Sequence, residues 1–256
     1  LGIVNSEAER KRALRARLRR ITAVLVVGVL VVGSMYLYNY ATTADRFAVE
    51  HVEVIGLTRI DRAEVDRLVA DLVGHNILLA PLEVYEARLE AHPRIESVAV
   101  RRVLPDRVVY AVTEREPVAL VFTDRYYEID AGGVVMPGDE YTGLLDLPTI
   151  TGVAARGVKA GRACSDPMVL GAIEALRVCR FIGRGFAEQI SEVRAGEAGL
   201  SIRSLQDDCV LLVGDADFEK RLRKFFVLKD ELARREGAPG LIDLRFDNQV
   251  VLRSEI

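Results

Sequence analysis

Residues 21–40, ITAVLVVGVLVVGSMYLYNY, run for twenty positions without one charged side chain. As a helix rising about 1.5 Å per residue, such a run spans roughly 30 Å, the hydrocarbon thickness of a bilayer. Seven basic residues (Arg10, Lys11, Arg12, Arg15, Arg17, Arg19 and Arg20) stand just before it, against the acids Glu7 and Glu9. Only Asp45 and Arg46 follow closely. That asymmetry predicts a single transmembrane helix, a cytoplasmic basic tail at 1–20 and an exported remainder. Tyr36, Tyr38 and Tyr40 crowd the outer end, where amphipathic rings favour the interface. Ala41-Thr42-Thr43-Ala44 is a poor cleavage site, so the segment reads as an anchor and not as a removed leader.

The charge sorts by compartment. The formal net charge is −3, yet the tail is basic and the span neutral, so residues 41–256 carry the whole acidic excess. An acidic exported portion has no electrostatic reason to seek nucleic acid, whereas the basic tail can sit on an anionic inner leaflet. Cys164, Cys179 and Cys209 are an odd number without CxxC spacing. Cys179 falls on the apolar face of a predicted helix and Cys209 opens a predicted strand, so buried thiols are expected, although an exported chain would permit a disulfide.

Beyond a short hinge at 41–46, two rhythms follow. Residues 49–55 alternate as a strand closed by Gly56. Asp61 and Glu64 mark a helix start, with Val65, Leu68, Val69 and Leu72 at helical spacing and Gly74 at its end. A second helix carries Val84, Tyr85 and Leu89 before Pro93. Strands at 97–103 and 107–114 complete the order strand, helix, helix, strand, strand over 47–116. From Glu116-Pro117 the pattern turns strand-rich, and 117–256 reads as a larger β-rich domain with two helices. Strands are expected at 118–123, 126–130, 134–136, 190–194, 200–204, 209–213, 241–246 and 250–253. An Asp-Ala-Gly-Gly turn makes a hairpin of the second and third. One helix starts with Ser165 as cap and Pro167 in its first turn; the other runs from Asp217 as cap through Arg235. The fold class is α+β.

No catalytic constellation stands out. His51, His75 and His92 come without HExxH, GxSxG, Walker or paired CxxC motifs, so no metal, cofactor or small-molecule substrate is expected. Gly183-Arg184-Gly185 is a loop signal lacking the context of a phosphate cradle. The terminal strand has more to offer. If no earlier strand covers it, its outer N–H and C=O groups form an open edge that can accept a partner strand.

Three stretches carry a resemblance: HPRIESVAVRRVLPDRVVYAVTEREPVAL (92–120), LPTITG (147–152) and IDLRFDNQVVLR (242–253). In this order, on a single N-terminal anchor, they resemble the FtsQ/DivIB family of bacterial division proteins. The resemblance implies that 47–116 is a POTRA domain and that the protein has a non-enzymatic scaffolding role at the septum. It further implies a single-pass protein of the cell inner membrane that joins two small single-span partners, FtsB-like and FtsL-like, and controls septal peptidoglycan synthesis. Carried over onto this chain, the partner-binding positions fall on Phe246, Asn248, Gln249, Val250, Val251 and Leu252. The chain lacks any Trp, so the aromatic anchor some relatives carry after the last strand is absent. The competing class is a POTRA-bearing transport component of the envelope, but the roughly 140 residues after Glu116 are few for a membrane β-barrel.

Overall fold

The computed structural model describes residues 4–139, 142–205, 209–232, 240–247 and 249–253. Its backbone separates into two compact units. Leu1–Ile55, Asp61–Glu86 and Ala99–Ala111 make the first, and Gly56–Ile60, Ala87–Val98 and Val112–Ile256 the second.

The first unit begins with α1 (Val4–Thr43), of which Arg17–Thr43 is long and apolar enough to cross a membrane. The Asn76 amide donates to the carbonyls of Ala41 and Thr42 at 2.8 and 3.1 Å, satisfying two of the acceptors that a helix end leaves open. The expected β-α-α-β-β order is observed as β1 (His51–Ile55), α2 (Arg62–Val69), α3 (Leu82–Glu90), β2 (Ile95–Val103) and β3 (Arg107–Glu114). The strands form a sheet in the order β1-β3-β2, with β1 parallel to β3. Asp61 caps α2 by accepting from the Ala63 amide at 3.1 Å, and Val65, Val69 and Leu72 are buried beneath it. Val84 differs from expectation. It is 54% exposed, because Leu82, Tyr85 and Leu89 form the buried stripe of α3.

The second unit is built on nine strands. They are β4 (Pro117–Phe122), β5 (Tyr126–Asp130), β6 (Val135–Pro137), β7 (Thr149–Thr151), β8 (Ile190–Gly196), β9 (Gly199–Ser204), β10 (Val210–Gly214), β11 (Leu241–Asp243) and β12 (Val251–Arg253). Their order is β12-β11-β10-β9-β8-β7-β4-β5-β6, an open sheet with two margins and not a closed barrel. The pairs β4–β7, β7–β8 and β10–β11 are parallel. Parallel neighbours need crossovers, and helices supply two of them. α4 (Pro167–Ile182) lies between β7 and β8, and α6 (Phe218–Leu232) between β10 and β11. Ala172, Ile173, Leu176 and Cys179 of α4 join Leu222 and Phe225 of α6 in one core with Val193, Ile202 and Leu211 of the sheet. Gly152 closes the LPTITG stretch at φ +75°, where a Cβ would collide with the Ala195 carbonyl.

Several local expectations are corrected. Asp166, not Ser165, caps α4, accepting from the amides of Met168 and Val169 at 2.9 and 3.4 Å. Both side chains suit the role; the backbone turn selects the second. Asp217 precedes α6 at φ +55°, outside the extended region an N-cap residue adopts. Gly183-Arg184-Gly185 is not a plain loop, since it opens a single helical turn, α5 (Arg184–Ala187). The polar turn at 206–208 and the end of the last helix near Arg235 lie outside the described residues.

One polar cluster is buried in this unit. Glu128 of β5 has no exposed surface and accepts from Arg59 at 2.8 and 2.9 Å, from Arg94 at 2.8 and 3.3 Å, and from the Thr142 hydroxyl at 2.7 Å. Both guanidiniums also reach Asp139 at 2.9 Å. Burial alone would push the Glu128 carboxyl up, but the three donors together outweigh it and hold it down at about 2.

Candidate partner-binding edge

β12 lies at one margin of the nine-stranded sheet, so one of its sides meets no strand among the described residues. The register of β11 determines which backbone groups face outward. Val210 N–H donates to Gly240 at 3.0 Å, and Leu244 N–H donates to Leu212 at 2.9 Å. In this parallel ladder Val210 lies opposite Leu241 and Leu212 opposite Asp243. Positions 240, 242 and 244 therefore spend their backbone groups on β10, and Leu241 and Asp243 turn theirs toward β12. Their antiparallel partners are Arg253 and Val251. Val251 and Arg253 thus bond inward, and the N–H and C=O of Leu252 point away from the sheet.

The side chains alternate the other way. Val250 and Leu252 pack against the core, while Val251 lies across from Asp243 on the opposite face. Asp243 is nearly buried and accepts from Arg245 at 2.6 and 2.8 Å. Those hydrogen bonds hold its carboxyl below the usual range against the opposing effect of burial. Phe246 is 44% exposed, and its carbonyl accepts from Lys224 at 2.7 Å. Asp247 accepts from Lys220 at 2.8 Å. Between α6 and this margin runs an open groove of about 580 Å³, lined by Lys220, Lys224, Val227, Gln249 and Val250 among others.

Of the expected positions, Phe246, Gln249, Val250, Val251 and Leu252 follow one another along this margin, with only the last two inside β12. Asn248 lies outside the described residues. The outer face of α6 was not anticipated. Lys220, Arg223, Lys224 and Val227 are spaced i, i+3, i+4 and i+7, a stripe distinct from Leu222 and Phe225, and this spacing was the available signal. The opposite margin is different. Val135 of β6 exchanges backbone bonds with Gly161 and Arg162 at 2.8 and 2.9 Å, and the chain at 161–164 lies over that edge.

Among the described residues no comparable feature points to catalysis. Cys164, Cys179 and Cys209 are buried and joined in no disulfide, and burial pushes the Cys179 thiol up to about 12, away from the nucleophilic thiolate. Glu50, His51 and Asp106 each place one ligand atom within 4.8 Å of the others, but at the surface, where such groups need no ion.

Comparison with known proteins agrees with this architecture. Residues 47–115 match the family described as "POTRA domain, FtsQ-type", and residues 119–245 match "Cell division protein FtsQ/DivIB, C-terminal", the latter ending short of β12. A cell division protein FtsQ from Myxococcus fulvus is 31% identical over 249 residues, covering 93% of this chain and 86% of its own. FtsQ proteins of Syntrophotalea carbinolica and Rhodothermus marinus are each 29% identical, covering 90% and 93% of this chain and 82% and 88% of theirs. An apolar N-terminal helix, a POTRA domain and a larger β-rich domain thus stand in one chain, and this chain belongs to the FtsQ/DivIB family of bacterial cell-division proteins.

Proposed function

We propose that the protein is a non-enzymatic scaffold of the division septum that captures FtsB-like and FtsL-like single-span partners by strand addition at β12. The observation that carries this reading is the register of the terminal strand. Among the described residues no strand lies beyond β12, and Leu252 directs its N–H and C=O outward. A partner strand laid there gains main-chain bonds, with affinity coming from the ladder and selectivity from the pockets beside it. The groove lined by Lys220, Lys224 and Val227 is such a neighbour, offering cationic and apolar contact. Phe246, Asn248, Gln249, Val250, Val251 and Leu252 are the partner-contacting positions. The domains are a cytoplasmic tail at 1–20, a span at 21–40, a hinge at 41–46, POTRA at 47–116 and the partner-binding domain at 117–256. The protein is a single-pass protein of the inner membrane with its N-terminus cytoplasmic. By holding its partners at the septum it controls peptidoglycan synthesis there.

The test is co-purification of the full chain with tagged FtsB-like and FtsL-like partners. Deleting everything from Ile242 onward would also remove most of the interior strand β11, and with it the buried Ile242 and Leu244. Truncation after Gln249 removes only the margin. The truncated chain should lose the partners while its exported part still unfolds cooperatively. Partner recovery at the level of the intact chain would show this reading to be wrong.

A further inference from the structure

The passage from α1 into the first unit is hydrogen-bonded. Ala44 N–H donates to Tyr40 at 3.0 Å, Phe47 N–H to Ala44 at 3.0 Å, and Ile77 N–H to Phe47 at 2.7 Å. Asn76 joins the two parts. Its side-chain NH2 donates to the carbonyls of Ala41 and Thr42, and its Oδ1 accepts from the Leu78 amide at 2.9 Å. Its backbone carbonyl accepts from Leu79 and Ala80 at 3.1 and 2.8 Å. One residue therefore ties the end of α1 to a tight turn at 76–80. Arg102 of β2 closes that turn, donating to the carbonyls of Ile77 and Ala80 at 2.8 and 2.9 Å. Ile77 and Ala80 are buried, whereas Leu78 and Leu79 are 41% and 58% exposed. The turn between β2 and β3 lies at the same end of the sheet. There Asp106 accepts from Glu50 and His51 at 2.9 and 3.2 Å, where the chain arrives from α1. That turn presents Leu104, also 58% exposed. The uncharged run 21–40 accounts for roughly 30 Å of helix, so Ala41 and Thr42 stand in the interfacial zone just beyond the hydrocarbon. A turn bonded to those two carbonyls is held at the height of the headgroups. Exposed apolar patches mark membrane or partner contacts, and continuity with the end of α1 selects the membrane.

We propose that Leu78, Leu79 and Leu104 seat in the leaflet from which Tyr40 emerges, so that the first unit rests on the bilayer surface. The proposal rests on the reading that α1 crosses the membrane. The attraction is apolar, and the carboxylates of Glu50 and Asp106 near Leu104 add none toward anionic lipid, so a neutral bilayer suffices.

The chain lacks Trp, so a single introduced indole reports alone. Leu79→Trp, Leu104→Trp, Ile55→Trp and Val31→Trp are each reconstituted as full chains in phosphatidylcholine vesicles, with doxyl labels placed high or deep on the acyl chain. Ile55 is exposed at the far end of β1, about 13 Å from His51, and serves as the aqueous control. Val31 lies near the middle of the uncharged run. Trp at 79 and at 104 should be quenched by the shallow label. Each should also be shielded from aqueous acrylamide by about threefold or more relative to Trp at 55, at low and high salt alike. Trp at 79 and 104 as open to acrylamide as Trp at 55, and untouched by the lipid labels, overturns the seat. Shielding that grows with the protein-to-lipid ratio without lipid quenching also overturns it, and makes the patch a contact between copies. Val31→Trp separates the two readings. Quenching there by the deep label with none at 79 and 104 defeats the seat alone; no lipid quenching at any of the three positions defeats the crossing as well.

Discussion

Glu128 keeps its charge inside the second unit because Arg59, Arg94 and Thr142 surround it with donors. Glu128→Ala would leave Arg94, itself only 7% exposed, with Asp139 and the Pro137 carbonyl as partners but short of the Glu128 bonds, at a cost of about 1–3 kcal/mol. Glu128→Gln keeps the shape and removes the charge, which makes it the better probe of pH. The folded carboxyl lies near 2 against an ordinary 4.5, so its stabilisation is complete above the ordinary value and fades as pH falls from there toward 2. In urea unfolding of the exported part, the gap between parent and Glu128→Gln should be wide at about pH 7 and narrow at about pH 3. A gap independent of pH would show that the charge contributes nothing. This cluster was not legible in the sequence. Arg59 and Arg94 lie 69 and 34 residues from Glu128, and no local pattern links them.

At the scale of single elements, β12 gives a sharper expectation than the sequence allowed. From sequence alone the N–H of Val251 could face either way; the bonds of β10 to β11 turn it inward. Val251→Pro should therefore remove a ladder donor and fray the margin, lowering the thermal midpoint. Leu252→Pro should leave the bonds to β11 in place and deny a partner strand its outward donor. Leu252→Ala controls for the lost packing and should bind nearly as the parent does, as should Gln249→Ala. Partner affinity and thermal unfolding measured on all four variants decide the matter, and normal binding by a well-folded Leu252→Pro would refute strand addition. The cap of α4 offers a second check. Asp166→Ala should cost about 1 kcal/mol and Ser165→Ala close to nothing, read from denaturant midpoints. Alternation in Val108, Tyr110 and Val112, and helical spacing in Val65, Val69 and Leu72, had made the elements themselves readable. Choosing between adjacent Ser165 and Asp166 was not, because either side chain can reach the same amides and only the backbone path decides.

For the molecule as a whole, the second compact unit draws in residues from before Glu116-Pro117, the point at which the two matched family regions, 47–115 and 119–245, meet. Arg59 and Arg94 come before that point, yet they belong with Glu128 and Asp139 in the second unit. Dividing the exported chain at 116/117 should therefore expose a defect in the later piece. A fragment of residues 117–256 retains Glu128 without either guanidinium, and it should unfold at lower urea concentration than the same region within 47–256. Equal midpoints would mean that Thr142 and solvent compensate fully. The two margins of the nine-stranded sheet carry a further consequence. Since β6 is sealed by residues 161–164 and β12 meets no further strand, this sheet has, among the described residues, a valence of one. A strand that joins at β12 takes the one vacancy that the described residues leave, so a second strand cannot extend the same sheet from its far side, where 161–164 lie. Two copies could pair through β12 only by excluding every other occupant, and among the described residues the pair would keep no open margin from which to grow.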